Sequence, residues 1–166
     1  YSLQQMQEIS EVCKQQKLNY HLDGARIFNA IVENDYTTSD VGNLFDSVSI
    51  CLSKGLGAPV GSLLLGNKEF IRKARRVRKV FGGGMRQAGY LAAAGIYALD
   101  HNVNRLKEDH TRAKILAETM SKLSYIDSIL PVDTNIVIFN LNDKLKPEDF
   151  VKKLAEKNIK ATAFGK

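Results

Sequence analysis

Residues 49–62 read Ser49-Ile50-Cys51-Leu52-Ser53-Lys54-Gly55-Leu56-Gly57-Ala58-Pro59-Val60-Gly61-Ser62. One lysine, Lys54, stands between an apolar, strand-like run and a loop of glycines with one proline. A lysine that serves only solubility usually lies on a helix face, where its ammonium reaches water. At the end of a buried strand the ammonium loses hydration, which favours the neutral amine, a nucleophile toward carbonyl carbon. The stretch therefore indicates either a reactive lysine or a lysine in an ordinary glycine-rich turn.

Outward from this stretch, the hydrophobic periodicity predicts alternating helices and strands. We expect helices over residues 3–16, 28–32, 69–81, 86–99 and 106–123 and from Pro147 onward, and strands over residues 19–22, 47–52, 60–65, 135–141 and 158–163. The segment 37–40 has the side chains of a loop. The 86–99 helix is apolar nearly all round, which indicates burial in a core or an interface. This order predicts an α/β layer joined to a smaller α+β part, with the break near residues 102–109.

The composition limits the class of protein. A chain of 166 residues suits one domain or parts of two, and its net charge of +6 is modest. The basic run at residues 72–79 comes without an aromatic stacking platform or a base-reading module, so we expect no nucleic acid partner. No apolar run is long enough to span a bilayer and no leader pattern opens the chain, which predicts a cytoplasmic protein with no membrane partner.

Cysteines and histidines suggest no further site. Cys13 and Cys51 stand among apolar residues, and we interpret them as small buried hydrophobes in a reducing compartment. The three histidines lack the spacing of a zinc pair, so we expect no metal site.

Two charged side chains strengthen the reactive-lysine interpretation. Asp23 follows a short strand-like run, and the ends of strands are where α/β sheets hold ligands. Arg26 is close enough in sequence to bind an anion in the same crevice, although the two could also form an ordinary surface ion pair. Pyridoxal phosphate requires a lysine for a Schiff base and an acid that keeps its pyridine nitrogen protonated, and Lys54 and Asp23 would supply both from neighbouring strands. Arg86, just after three glycines, is a candidate for the phosphate.

Three long motifs carry a family resemblance. They are HLDGARIFNA at residues 21–30, CLSKGLGAPVGS at 51–62 and RKVFGGGMRQAG at 78–89, with a weaker match, TNIV, at 134–137. In this order they resemble L-threonine aldolases, which belong to the β-eliminating lyase group of fold-type-I pyridoxal phosphate enzymes. The resemblance implies an α/β fold: residues 1–105 would be part of the large, aspartate-aminotransferase-like cofactor domain, and residues 106–166 part of the small C-terminal α+β domain.

The same resemblance implies a role for each matching residue. Lys54 would form the Schiff base and Asp23 would pair with the pyridinium nitrogen. Arg26 would bind the substrate carboxylate, and Lys79 would lie near the substrate side chain. Arg86 would contact the cofactor phosphate, across a subunit boundary.

The implied reaction is cleavage of L-threonine or allo-threonine to glycine and acetaldehyde by a homodimer or homotetramer. In the family, the phosphate loop and a histidine that stacks on the cofactor lie in an N-terminal half that would precede residue 1. A second carboxylate-binding arginine would follow residue 166. We therefore expect this chain alone to be a poor or inactive enzyme. The alternatives are an inactive structural piece of the same fold and a β-eliminating lyase of other amino-acid specificity.

Overall fold

The computed structural model describes residues 1–34 and 36–163. Its helices are α1 (Leu3–Gln15), α2 (Ile27–Glu33), α3 (Thr38–Gly42), α4 (Lys68–Val80), α5 (Gly89–His101), α6 (Leu106–Met120) and α7 (Pro147–Glu156). Its strands are β1 (His21–Gly24), β2 (Ser47–Cys51), β3 (Ser62–Gly66), β4 (Ile126–Ile129) and β5 (Phe139–Leu141). The chain folds as two units, Tyr1–Lys107 and Glu108–Lys166, with the division inside α6. That these units belong to a large cofactor domain and a small domain stays a prediction.

The first unit contains a three-stranded mixed sheet in the order β1-β2-β3. β1 and β2 are parallel, with Asp23 opposite Ser49 and Gly24 opposite Ile50. β2 and β3 are antiparallel, with Cys51 opposite Ser62. α2 and α3 lie between β1 and β2 in the chain, as a parallel pair requires. The C-terminal ends of β1 and β2 therefore lie at the same edge of the sheet.

The main core of the first unit lies under the loop after β2. Its buried members are Leu52, Leu56, Ala58, Ala98 and Leu106. Phe28, Val32, Ile50, Leu99 and Val103 pack around them and are partly buried. The core thus joins the lysine-bearing loop to the end of α5 and the start of α6. A smaller buried set fixes α1, where the Ser10 hydroxyl donates a 3.0 Å hydrogen bond to the carbonyl oxygen of Leu44.

The second unit contains an antiparallel pair, β4 and β5, and the helix α7. Phe150 of α7 packs edge-on against Phe139 of β5, with 5.9 Å between ring centroids, and lies 5.9 Å from the ring of Tyr125. Pro147 lies in the first turn of α7, where its missing N–H costs no hydrogen bond. Glu148 and Asp149 are in the same turn, where the helix dipole favours negative charge.

Several elements differ from the sequence-based expectations. Residues 37–40 are not a loop, because the Thr37 side chain caps α3 and exchanges hydrogen bonds with Asp40. Within residues 158–163 there is no strand, and β5 covers only the last part of 135–141. β4 was not expected at all, since its sequence, IDSI, has polar residues at its centre that are uncommon in strands.

Of the two alternatives for α5, burial in the core of this chain is wrong for most of the helix. Only Gly95 and Ala98 are buried, whereas Tyr90, Ile96 and Tyr97 are 91%, 61% and 60% exposed. The helix contacts the core through Gly95, Ala98 and Leu99, whereas its other large apolar side chains remain outside. Coverage of those side chains by an interface stays a prediction.

Candidate active site

The parallel pairing of β1 and β2 brings Asp23 and the approach to Lys54 to one edge of the sheet. Asp23 is the third of the four residues of β1 and lies opposite Ser49. β2 ends two residues later, at Cys51, and Lys54 follows in the next turn. The carboxyl ends of parallel strands are where α/β folds bind ligands. The register confirms that the strand carrying Asp23 and the strand leading to Lys54 are neighbours, but Lys54 itself lies three residues beyond the end of β2.

A glycine allows the two strands to approach closely at this point. A Cβ at Gly24 would lie only 2.7 Å from the backbone oxygen of Ser49, so a larger residue would push β1 and β2 apart. Immediately before it, the Asp23 carboxylate accepts a 3.2 Å hydrogen bond from the N–H of Ala25. This bond holds the carboxylate toward the turn that leads into α2.

The loop that carries Lys54 is closed by backbone hydrogen bonds. The N–H of Gly57 donates to the oxygen of Lys54 at 2.9 Å, and the N–H of Ala58 donates to the oxygen of Leu52 at 3.0 Å. The N–H of Leu52 donates to the oxygen of Gly61, which closes the base of the loop. Gly57 has a φ of +75°, a conformation that glycine adopts without strain.

Two side chains from the connection between α5 and α6 donate hydrogen bonds to the same loop. The Asn102 amide donates a 2.7 Å hydrogen bond to the oxygen of Leu56, and the Arg105 guanidinium donates a 3.0 Å bond to the oxygen of Gly55. Leu106, which is fully buried, lies against Gly55, because a Cβ there would be 2.7 Å from its Cδ2. The sequence reasoning missed Asn102 and Arg105, since their partners lie about fifty residues away along the chain.

Lys54 and Arg26 line one small crevice together with Cys51. Arg26 comes directly before α2, at its N-cap position, and its side chain is exposed. The Lys54 side chain is also exposed, so the loss of hydration expected from its apolar neighbours is not found. The enclosed volume is about 10 Å³, which is room for about one water molecule. This crevice is therefore too small by itself to hold an amino acid.

Cys51 has polar surroundings that its apolar sequence neighbours do not indicate. Its sulfur lies 3.4 Å from the Ser53 hydroxyl oxygen, and both cysteines are free and only partly buried. Hydrogen bonding to Ser53 lowers the pKa of the Cys51 thiol, with smaller contributions from the Lys54 charge and the Ser62 hydroxyl, while desolvation acts in the opposite direction. The interpretation of Cys51 as a buried hydrophobe is therefore wrong. The alternation of Ser47, Ser49 and Cys51 along β2 was the signal that could have shown a polar face.

Lys79 and Arg86 lie in a different part of the first unit. Lys79 is in the last turn of α4, and its side chain folds over Gly84, where a Cβ would meet its Nζ at 3.1 Å. Arg86 is exposed and precedes α5 by three residues, so it does not begin a helix as expected. The described residues that line the crevice of Arg26 and Lys54 do not include Lys79 or Arg86, and they do not include Asp23, which was expected to share it.

Two further properties concern residues 1–34 and 36–163 only. No group of three or more histidine, cysteine, aspartate or glutamate side chains there could hold a metal ion. No helix in the same residues is long and apolar enough to cross a bilayer.

Comparison with known proteins defines the family. The family model described as β-eliminating lyase matches residues 1–144, and the chain therefore belongs to the β-eliminating lyase family. It is similar to low-specificity L-threonine aldolase 1 of Arabidopsis thaliana, with 41% identity over 161 residues, 95% of this chain and 45% of that protein. It is also similar to the low-specificity L-threonine aldolase of Escherichia coli K12, with 47% identity over 139 residues, 84% of this chain and 41% of that protein.

Solved structures give the same fold. A Listeria monocytogenes protein proposed to be an L-allo-threonine aldolase superposes with a TM-score of 0.81 over 99% of this chain and 46% of its own, at 23% identity. An Exiguobacterium protein described as an aromatic amino acid β-eliminating lyase or threonine aldolase has a TM-score of 0.75 over 82% of this chain and 39% of its own, at 28% identity. The expected α/β fold and the resemblance to threonine aldolases are confirmed, and the chain spans less than half the length of these relatives.

Proposed function

We propose that this chain contributes the cofactor-binding strands of a pyridoxal-phosphate-dependent aldolase that cleaves L-threonine and related β-hydroxy-α-amino acids to glycine and an aldehyde. The observation that carries the proposal is the parallel register that sets Asp23 at the end of β1 beside the β2 strand leading to Lys54. The names of its relatives in Arabidopsis and Escherichia coli support this substrate class. Cleavage would yield glycine and consume threonine.

The chemistry of the side chains fits the cofactor and an amino acid substrate. An amine, Lys54, can bond to an aldehyde carbon, and a carboxylate, Asp23, can hold a proton on a ring nitrogen. A guanidinium, Arg26, lines the same crevice as Lys54 and can pair with a substrate carboxylate through two hydrogen bonds. Lys79 and Arg86 would act from the other part of the unit, Lys79 toward the substrate side chain and Arg86 toward the cofactor phosphate.

Bound pyridoxal phosphate would supply a pyridinium ring that accepts the electron pair released when the Cα–Cβ bond breaks. Asp23 would keep the proton on the ring nitrogen, so its charge acts mainly where negative charge develops in the transition state. Lys54 would hold the cofactor covalently. Arg26 would fix the carboxylate of the amino acid and so orient the bond that breaks.

A specific observation favours a second candidate function. The crevice encloses only about 10 Å³, and Lys54 is exposed, so the described residues do not exclude water from the reacting bond. Removal of water strengthens the electrostatic interactions on which such catalysis depends. By this alternative the 166-residue chain is a structural component that binds the cofactor weakly and does not cleave threonine. Lyase activity on other amino acids is the remaining alternative.

One experiment separates these functions. The purified chain is titrated with pyridoxal phosphate, reduced with borohydride, and digested for mass spectrometry. The proposal expects one adduct per chain on Lys54, its loss in Lys54→Arg, which keeps the charge, and its retention in the matched surface variant Lys68→Arg. Scattered labelling over many lysines contradicts the cofactor site. A specific adduct without release of glycine from threonine favours the structural component.

We further propose that the protein acts in the cytoplasm as a homo-oligomer. The large side chains of Tyr90, Ile96 and Tyr97 are exposed on α5, and covering them in an interface would remove apolar surface from water, which supports association. Sedimentation velocity of the chain measures this: a monomer at micromolar concentration contradicts self-association through this helix. Tyr97→Glu is expected to dissociate any dimer that α5 forms.

A further inference from the structure

The first three carbonyl oxygens of the turn 54–57 all accept hydrogen bonds. The oxygen of Lys54 accepts one from within the turn, at 2.9 Å from the N–H nitrogen of Gly57. The oxygens of the next two residues accept bonds from side chains, in order 3.0 Å from the Arg105 guanidinium and 2.7 Å from the Asn102 amide. The turn that directly follows the lysine is therefore bonded to a segment 46 to 50 residues away in the sequence.

Asn102 donates its bond from a packed part of the first unit. It is the C-cap residue of α5, where its own N–H donates a 2.9 Å hydrogen bond to the oxygen of Ala98, a buried core residue. Its amide nitrogen would also lie 3.6 Å from a Cβ at Gly57. Leu106, directly after Arg105, is fully buried against the same turn. Because the core holds the backbone around the two donors, they restrain the turn and do not simply follow it.

The turn needs restraint from outside because its own sequence supplies little. Two of its four residues, Gly55 and Gly57, are glycines, which have access to more backbone conformations than other residues. The Lys54 side chain is exposed, so packing does not fix its direction. Its amine lies at the end of a long flexible chain, and a change of backbone direction at residue 54 would move it away from a fixed reaction partner.

We propose that Asn102 and Arg105 are positioning residues for the proposed aldolase reaction. They hold the turn 54–57 in the conformation from which the Lys54 amine reaches the aldehyde carbon of pyridoxal phosphate. Neither side chain is among the described residues that line the crevice of Lys54, so both act through the carbonyl oxygens of the turn. This inference rests on the proposed function and assigns a role in it to two residues outside the three sequence motifs.

Asn34 provides a matched control for Asn102. Both are C-cap asparagines in the first unit, and the Asn34 amide also donates a 2.7 Å hydrogen bond to a carbonyl oxygen, that of Ala30. The intact chain of each variant is titrated with pyridoxal phosphate and reduced with borohydride. The amine adds to the aldehyde carbon, water leaves, and hydride from borohydride reduces the resulting double bond. Mass spectrometry then gives the quotient of adduct at Lys54 to adduct at Lys68, an exposed lysine on α4.

Asn102→Ala should lower this quotient by about two- to tenfold, the effect of one hydrogen bond, and Asn34→Ala should leave it unchanged. Arg105→Leu should lower the quotient as well, whereas Arg105→Lys, which keeps a charged donor, should restore part of it. The variants are compared at equal folded fraction, as measured by urea denaturation, so a general loss of stability cannot produce the difference.

Hydrogen exchange gives a second readout, which requires no cofactor. The N–H groups of Gly57 and Ala58 close the loop by bonds to the oxygens of Lys54 and Leu52. In Asn102→Ala both groups should exchange faster, whereas the bonded N–H groups of β2 should keep their rates, because only the loop is released.

The two proposals fail in different ways. Equal labelling of Lys54 and Lys68 in the wild-type chain contradicts the aldolase proposal and, with it, the positioning role. A wild-type preference for Lys54 that persists in Asn102→Ala contradicts the positioning role alone, and so does an equal drop in Asn102→Ala and Asn34→Ala. Unchanged hydrogen exchange in the loop of Asn102→Ala would show that this side chain does not restrain the turn.

Discussion

The first unit holds its two sets of candidate site residues in very different ways. Lys54 lies in a loop whose backbone is bonded to itself and to Asn102 and Arg105, above a core of buried aliphatic side chains. Lys79 and Arg86 lie at the end of α4 and in the glycine turn after it, where the helix has no buried residue and Phe81 is 86% exposed. The Lys54 loop is therefore held by the core of this unit, whereas the segment that carries Lys79 and Arg86 is supported by local helix geometry.

The largest expected effect tests whether that core determines the stability of the unit. Leu106→Ala should lower the free energy of unfolding by about 2–5 kcal/mol, because Leu106 is fully buried and its removal leaves a cavity under Gly55. The matched change in the other region, Phe81→Ala, should alter it by less than about 0.5 kcal/mol. Urea denaturation followed by circular dichroism measures both. Similar losses for the two variants would show that the α4 region is packed as firmly as the lysine loop.

A glycine in each region gives the next effect. Gly24→Ala should cost about 1–3 kcal/mol, since the added Cβ would meet a backbone oxygen of β2 at 2.7 Å. Gly89→Ala, at the start of α5, meets nothing within 4 Å and should be neutral or stabilise by up to about 1 kcal/mol. The melting temperature of Gly24→Ala should therefore fall, whereas that of Gly89→Ala should stay the same or rise. A tolerated alanine at residue 24 would mean that β1 and β2 do not need their close approach.

The smallest effect concerns ionisation beside Lys54. Because the hydrogen bond from Ser53 stabilises the thiolate and lowers the pKa of Cys51, Ser53→Ala should move the pH profile of Cys51 alkylation to higher pH. The iodoacetamide rate is followed across the profile, with Ser39→Ala on α3 as the control, because Ser39 is not among the groups that shift the pKa of Cys51. An unchanged pH profile in Ser53→Ala would show that the Ser53 hydroxyl does not lower the pKa of Cys51.

The Lys54 loop and the strands β1 and β2 were also the more predictable region. The apolar run before Lys54 and the strand that contains Asp23 could be placed to within about two residues. The β2 run is the clearer of the two, because Val48 is buried and Ile50 packs against the core. The glycines after Lys54 indicated a tight loop, and the positive φ of Gly57 agrees with that reading. The family motifs assigned roles to Arg26 and Lys54. That both residues line one crevice could be seen only from the fold.

One error arose from a local capping motif, and the others arose where tertiary contacts outweigh local preference. Thr37 and Asp40 favour loops in general, but together they cap a short helix. β4 pairs with β5 through a bulge despite its polar centre, which local propensity does not predict. The segment 158–163 has strand-like residues but forms no strand, since pairing and not propensity makes a strand. Cys51 stands in an apolar stretch of sequence, but Ser53 in the following turn and Ser62 on the paired strand give its sulfur polar neighbours.

The register of the sheet also has a consequence for the order of assembly. β2 and β3 are joined by the short loop that contains Lys54, and Cys51 pairs with Ser62 across it. The pairing that brings Asp23 into place closes a longer segment, since His21 and Ser47 are 26 residues apart. Closing a shorter loop costs less chain entropy. During folding the amine is therefore positioned at lower entropic cost than the carboxylate, and the hairpin can serve as the template onto which β1 docks.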